Sequence, residues 1–171
     1  EEGAAGFLGL IPSCMFGPPE KCYITEETDT PGLIFNRYGK GQSAYIPWGI
    51  GAHYEKLSNH GHARFLLTAL RDVLAYQGPL QVTASPLVEV SFHKGPMRRL
   101  ISAVNGSGQL GTAFHAPLPV RDLRFTLQAD SKPSRVYALR RAVDIPFVYN
   151  EGQVSFRLDE LAWFETIVVE E

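Results

Sequence analysis

The stretch Tyr45-Ile-Pro-Trp48, followed by Gly49, Gly51, His53 and Tyr54, concentrates aromatic and imidazole groups in a short span. Aromatic faces take apolar C–H surfaces such as those of a sugar ring, while flanking polar groups bond to hydroxyls. Trp48, His53 and Tyr54 are therefore the candidate ligand-binding residues. The competing reading is that Trp48 and Tyr54 only cover the helix that follows and close its unit. His60-Gly61-His62 has the spacing of a metal-ligand pair, and His53 is near enough in sequence to join it. Two imidazoles at a helix start with no evident third ligand are better read as ordinary helix residues. No metal site and no cofactor are assigned.

Catalytic groups are harder to find. Glycoside hydrolysis needs two carboxylates flanking a scissile bond. The acids here, Glu55, Asp72, Glu89, Asp122, Glu151 and Glu165 among them, fall mostly on polar faces of alternating segments or in turns, and are expected to be solvated surface acids. Ser43, Ser58, Ser85 and Ser107 lack a Gly-x-Ser-x-Gly elbow. Gly39-Lys-Gly41 and Asn105-Gly-Ser-Gly108 match neither a P-loop nor a dinucleotide fingerprint and read as hairpin turns. No catalytic residue is assigned to the chain.

The elements that must position the aromatic stretch are legible in outline. The first 31 residues are rich in Gly and Pro and read as loops, with one short element around Phe7–Ile11. Gly32–Asn36 and Gln42–Ile46 form a hairpin across Arg37–Gly41, and 48–52 reads as a flexible aromatic loop. One helix is predicted over His60–Tyr76, about 25 Å long. Ser58 or Asn59 caps it, Phe65, Leu66, Leu70, Val73 and Leu74 form one apolar stripe, and Gly78-Pro79 ends it. Beyond Pro79 the apolar period drops to two: Val88, Val90 and Phe92; Leu123, Phe125 and Leu127; Val154, Phe156 and Leu158. Runs at 80–84, 100–104, 136–139, 143–147 and 163–169, with a turn at Asn150-Glu-Gly152, complete six to eight short strands of an antiparallel sandwich.

Bulk properties set the limits. With 171 residues, 44% of them hydrophobic, the chain can bury a real core as one domain or two small ones. A net charge of −2 provides no basic field for nucleic acid and no cationic face for a membrane surface, and apolar runs are too short to span a bilayer. The chain opens at Glu1 without an initiator Met or an apolar leader, as expected of a piece of a longer chain or of a processed one. Cys14 and Cys22 enclose seven residues. They are read either as a disulfide, worth about 2 kcal/mol at most over so short a loop, or as two thiols.

Taken in order, Gly32-Leu-Ile-Phe-Asn-Arg-Tyr-Gly-Lys-Gly-Gln-Ser-Ala-Tyr-Ile-Pro-Trp48, His60 and the helix from Phe65 to Tyr76 resemble the end of the trimerisation domain of β-galactosidase-like glycoside hydrolases. Pro86–Phe92, Leu100–Gly108, Pro117–Asp122 and Phe164–Val169 resemble the C-terminal β domain of the same enzymes. The resemblance implies an α+β chain. A partial α/β, flavodoxin- or amidotransferase-like remnant at 1–79 would precede an antiparallel β-sandwich at 80–171. It further implies a non-catalytic accessory portion of a secreted or periplasmic enzyme, whose catalytic carboxylates lie on an upstream barrel of the same parent chain. Homo-oligomerisation and contact with carbohydrate are the partnerships it implies. A stand-alone carbohydrate-binding module presenting Trp48, Tyr137 or Trp163, or a ligand-free structural domain, are the alternatives.

Overall fold

The computed structural model describes residues 3–12, 17–23 and 26–171. The Cys14–Cys22 pairing therefore lies outside the described residues; the Cys22 thiol donates to the Gly17 carbonyl at 2.9 Å. The chain is α+β and divides into two compact units, Glu1–Gln77 and Gly78–Glu171.

The first unit is a three-stranded antiparallel sheet with two short helices. Strand β1 (Ala5–Gly9) pairs with β2 (Pro31–Tyr38), which pairs with β3 (Gly41–Tyr45). The β2–β3 connection is Gly39-Lys40, and Gly39 adopts φ +57°, a conformation that would strain a residue carrying a Cβ. Phe7 lies opposite Leu33, and Phe35 opposite Ala44, so these apolar residues share one face of the sheet.

Residues 48–52 are not a loop throughout: helix α1 spans Ile50–Leu57. Gly51 weakens its helix propensity by about 1 kcal/mol, and Gly49 at the N-cap makes no side-chain cap, but Ile50 is buried and anchors the first turn. Ser58 ends it in the left-handed region at φ 49°. Helix α2, His60–Thr68, starts at Asn59, whose side-chain oxygen accepts from Gly61 N at 2.8 Å.

The expected continuous helix to Tyr76 is also corrected. From Ala69 to Val73 the backbone widens into a π turn, with Leu74 N donating to Ala69 O at 3.0 Å and Tyr76 N to Leu70 O at 2.9 Å. The widened turn shifts the buried position within it, while Val73 stays half-buried on the side of Phe65. Ala69 is the buried residue and Leu70 is exposed.

The second unit is a two-layer antiparallel sandwich. Its strands are β4 (Leu80–Thr83), β5 (Val88–Lys94), β6 (Arg98–Asn105), β7 (Gln109–Leu110), β8 (Ala113–Phe114), β9 (Val120–Gln128), β10 (Arg135–Ala138), β11 (Val143–Asp144), β12 (Phe147–Asn150), β13 (Gln153–Leu161) and β14 (Phe164–Glu170). One layer runs β11-β10-β14-β6-β5, the other β12-β13-β9-β4, and β7–β8 is a separate small hairpin.

Leu123, Phe125 and Leu127 register with Leu158, Phe156 and Val154, and this alternation buries one face against Ile101, Ala103, Ile167 and Val169. Phe125 stacks on Phe156 at 5.2 Å and 14°. The β12–β13 turn is Glu151-Gly152, both at positive φ, 47° and 79°, as a two-residue hairpin of matching twist requires. The single strand predicted over 143–147 is two strands in opposite layers. Ile145 is buried at the crossing, and Pro146, with no N–H to give a ladder, marks the break.

Three buried polar residues hold the sandwich. The Asn105 side-chain amide donates to Leu118 O (2.8 Å), Leu161 O (3.1 Å) and Ala162 O (2.9 Å), while its oxygen accepts from Ser107 N at 3.1 Å. Arg99, in one layer, donates to the carbonyl of Gln128 in the other and pairs with Glu171. Glu165, expected among the surface acids, is only 2% exposed. It accepts from Arg140 N (2.8 Å) and Thr166 N (3.0 Å) and pairs with Arg141 at 3.1 Å. A carboxylate can be buried there because backbone donors and a guanidinium replace its hydration.

Candidate functional site

The aromatic stretch folds into a ring cluster within the first unit. Ile46-Pro47 carries the chain from β3 to Trp48, and α1 and α2 then bring two imidazoles and a phenyl ring to the indole. Ring centroids lie 6.4 Å from Trp48 to His53, 5.7 Å to His62 in an edge-to-face arrangement, and 5.6 Å to Phe65; His53 and His62 are 5.9 Å apart. The indole N–H donates to the Gly32 carbonyl at 3.0 Å, which pins the ring against β2. Trp48 remains 38% exposed, enough to offer part of its ring but not its N–H.

Of the three residues selected from sequence, the structure brings Trp48 and His53 together. Tyr54 is 40% exposed and makes no ring contact with the cluster among the described residues. His62 and Phe65 were not selected as ring partners. Their i, i+3 spacing on α2 is the signal that places them on one face.

His62 also carries a buried Nδ1 with no hydrogen-bond partner among the described residues. Among the described residues His60 makes no ring contact with the cluster, and no group of three metal-ligating side chains occurs. Chemically, the cluster joins a partly open aromatic surface to two imidazoles. Such a surface can stack on an apolar ring face and exchange hydrogen bonds at its edge.

In the second unit, Trp163 is half exposed, between β13 and β14. The Tyr137 ring carries the Arg135 guanidinium 4.4 Å from its centroid, so that face is already occupied.

Several acids of this unit are committed to guanidinium groups: Asp122 to Arg124 (2.8 Å) and Arg157 (2.9 Å), Asp159 to Arg157 (3.2 Å), Glu160 to Arg121 (3.2 Å) and Asp144 to Arg135 (2.6 Å). The hydrogen bond from Arg124, with the charges of Arg124 and Arg157, holds the Asp122 carboxyl below the usual range. A general acid for glycoside cleavage needs the opposite displacement. No helix among the described residues is long and apolar enough to cross a membrane.

No protein-family model matches the sequence, and no curated protein matches it. Among solved structures the chain is similar to α-L-fucosidase isoenzyme 2 from Paenibacillus thiaminolyticus, with a TM-score of 0.71 and 22% identity, over 93% of this chain and 24% of that one. Looser likenesses are to a cycloisomaltooligosaccharide glucanotransferase of Paenibacillus sp. (TM-score 0.43, 15% identity, 63% and 20% coverage) and to a GH42 β-galactosidase of G. stearothermophilus (TM-score 0.42, 20% identity, 85% and 16% coverage). The chain spans about a quarter of the length of the fucosidase it matches, and at this identity the likeness establishes one thing, a shared α+β fold that the fucosidase carries within a longer chain.

Proposed function

We propose that this chain is a non-catalytic accessory portion of a larger glycoside hydrolase of the β-galactosidase-like kind. In this reading its catalytic carboxylates stand on an upstream barrel of the same polypeptide. The observation that carries it is the fold likeness over 93% of the chain to part of an α-L-fucosidase. The commitment of Asp122, Asp159, Glu160 and Asp144 to arginines is in keeping with a scaffold role. On this reading the chain packs against the barrel and supports an oligomer, and Trp48 and His53, with Tyr54 on the adjoining helical surface, lend a rim to the substrate cleft. A secreted or periplasmic setting belongs to the same proposal.

The experiment is to express the upstream part of the parent reading frame separately and mix it with this chain. A complex by size-exclusion chromatography and calorimetry, with nitrophenyl-glycoside hydrolysis residing in the upstream part, is the expected result. Absence of association, or hydrolysis by this chain alone that is lost on replacing one of its own acids, removes the reading.

The half-exposed Trp163 favours a second reading, a carbohydrate-binding module. Retention of the isolated chain on a polysaccharide column, abolished by Trp163→Ala, would select it.

A further inference from the structure

The first unit leaves much of its apolar surface uncovered. Among its described residues only Leu33, Ile50 and Ala69 are buried hydrophobics, whereas Phe7 and Leu8 of β1 are about half exposed. Between the sheet face carrying Phe7, Leu33 and Phe35 and the side of α2 and its π turn carrying Phe65 and Ala69 runs an open groove of about 720 Å³. β1 pairs with β2 along one edge only among the described residues. Arg64 also lines the groove, exposed and in no ion pair among the described residues.

From these features we infer that the groove is the seat of an amphipathic helix supplied by the same polypeptide upstream of this chain. The helix would lie beside α2 over β1, its apolar stripe on Phe7, Leu8 and Phe65 and an Asp or Glu at its border facing Arg64. Packed helices lie 8–10 Å apart and neighbouring strands about 4.8 Å apart, so one helix covers about two strands. α2 borders the groove on one side through Arg64 and Phe65, and the Phe7–Leu8 side is left for one more helix. An added strand would satisfy the β1 edge but would leave the depth of the groove unfilled. The occupant is placed in cis because the same fold occurs, over 93% of this chain, inside a chain about four times as long. The inference rests on the proposed reading that the parent is a longer enzyme, and it names the surface that reading requires.

The test compares this chain with its parent polypeptide by binding of 8-anilinonaphthalene-1-sulfonate and by amide hydrogen exchange. The parent should suppress dye fluorescence and slow exchange in β1 and α2 by about tenfold or more. In the parent, Phe7→Glu and Arg64→Glu should each restore dye binding and faster exchange. Arg64→Glu, at an exposed position, leaves the fold intact by circular dichroism. Unchanged exchange in the parent, no effect of either substitution in a folded parent, or protection of this chain alone that rises with its own concentration, as a self-dimer would give, overturns the inference. Glycosidase activity of the parent is measured in parallel. An active parent with an open groove refutes this inference and leaves the proposed function standing; a protected groove in an inactive parent does the reverse.

Discussion

Replacing Asn105 with alanine removes the side chain whose amide lies within hydrogen-bond distance of three carbonyls at a corner of the sandwich. The amide has two hydrogens for the oxygens of Leu118, Leu161 and Ala162, so at least two hydrogen bonds are lost outright, together with the acceptor for Ser107 N. Each buried polar group left without a partner costs about 1–3 kcal/mol. Water can reach Leu118, which is exposed, so its carbonyl is discounted. Leu161 O, Ala162 O and Ser107 N remain. Because Ala162 and Ser107 are only half-buried the lower end applies, a sum of about 3 kcal/mol, which for a unit of this size corresponds to a loss of about 12–24 °C in melting temperature. Urea unfolding read by hydrogen exchange of β6 and β14 amides isolates the second unit. Ser107→Ala serves as the control: it removes the hydroxyl that accepts from Leu118 N at 3.0 Å in a solvent-exposed bond, and should cost less than about 1 kcal/mol. If Asn105→Ala costs no more than Ser107→Ala, the corner is not held by that amide and the reasoning fails.

Other perturbations have distinct signatures. Glu165→Ala removes the acceptor of Arg140 N and Thr166 N; Arg140 and Arg141 are exposed and regain water, so the cost is that of Thr166 N, about 1–3 kcal/mol by the same urea measurement. Phe125→Ala, at the centre of the core, should cost about 3–5 kcal/mol. The Asp122 carboxyl has a folded-state pKa below its unfolded value, so its contribution is fully present above the ordinary carboxylate range near about 4 and is lost as pH falls from that range through the lower folded-state value. Asp122→Asn should flatten that part of the acid limb of a urea-midpoint profile, and an unchanged profile would count against the Arg124–Asp122 bond. Trp48→Ala should lower the hydrogen-exchange protection of α2, whose His62 and Phe65 rings lose their partner; unchanged protection would show that the cluster does not brace the helix.

The sandwich was legible where one face of a strand is buried and the other wet. Leu123, Phe125 and Leu127, and Val154, Phe156 and Leu158, announce themselves by period two because water enforces the alternation. The Glu151-Gly152 turn was equally readable from its residue types. What escaped was set by longer-range terms. Gly49 at the cap of α1 and Gly51 within it argue locally for a loop, and burial of Ile50 overrides them. The π turn at Ala69–Val73 depends on hydrogen-bond register, which no apolar spacing encodes. The split at Ile145-Pro146 carried a local sign, the proline, but the change of layer did not. Of the ring cluster, Trp48 and His53 stand out in the sequence, whereas the contacts of His62 and Phe65 with the indole depend on how α1 and α2 fold together.

The chain changes layer at Ile145-Pro146, and again between β13 and β14 where Asn105 clasps the corner. Neither sheet can then peel away without dragging backbone out of its counterpart. Under denaturant or mechanical load the two should come apart in a single event, leaving no stage at which half of the interior stands bare to neighbouring molecules.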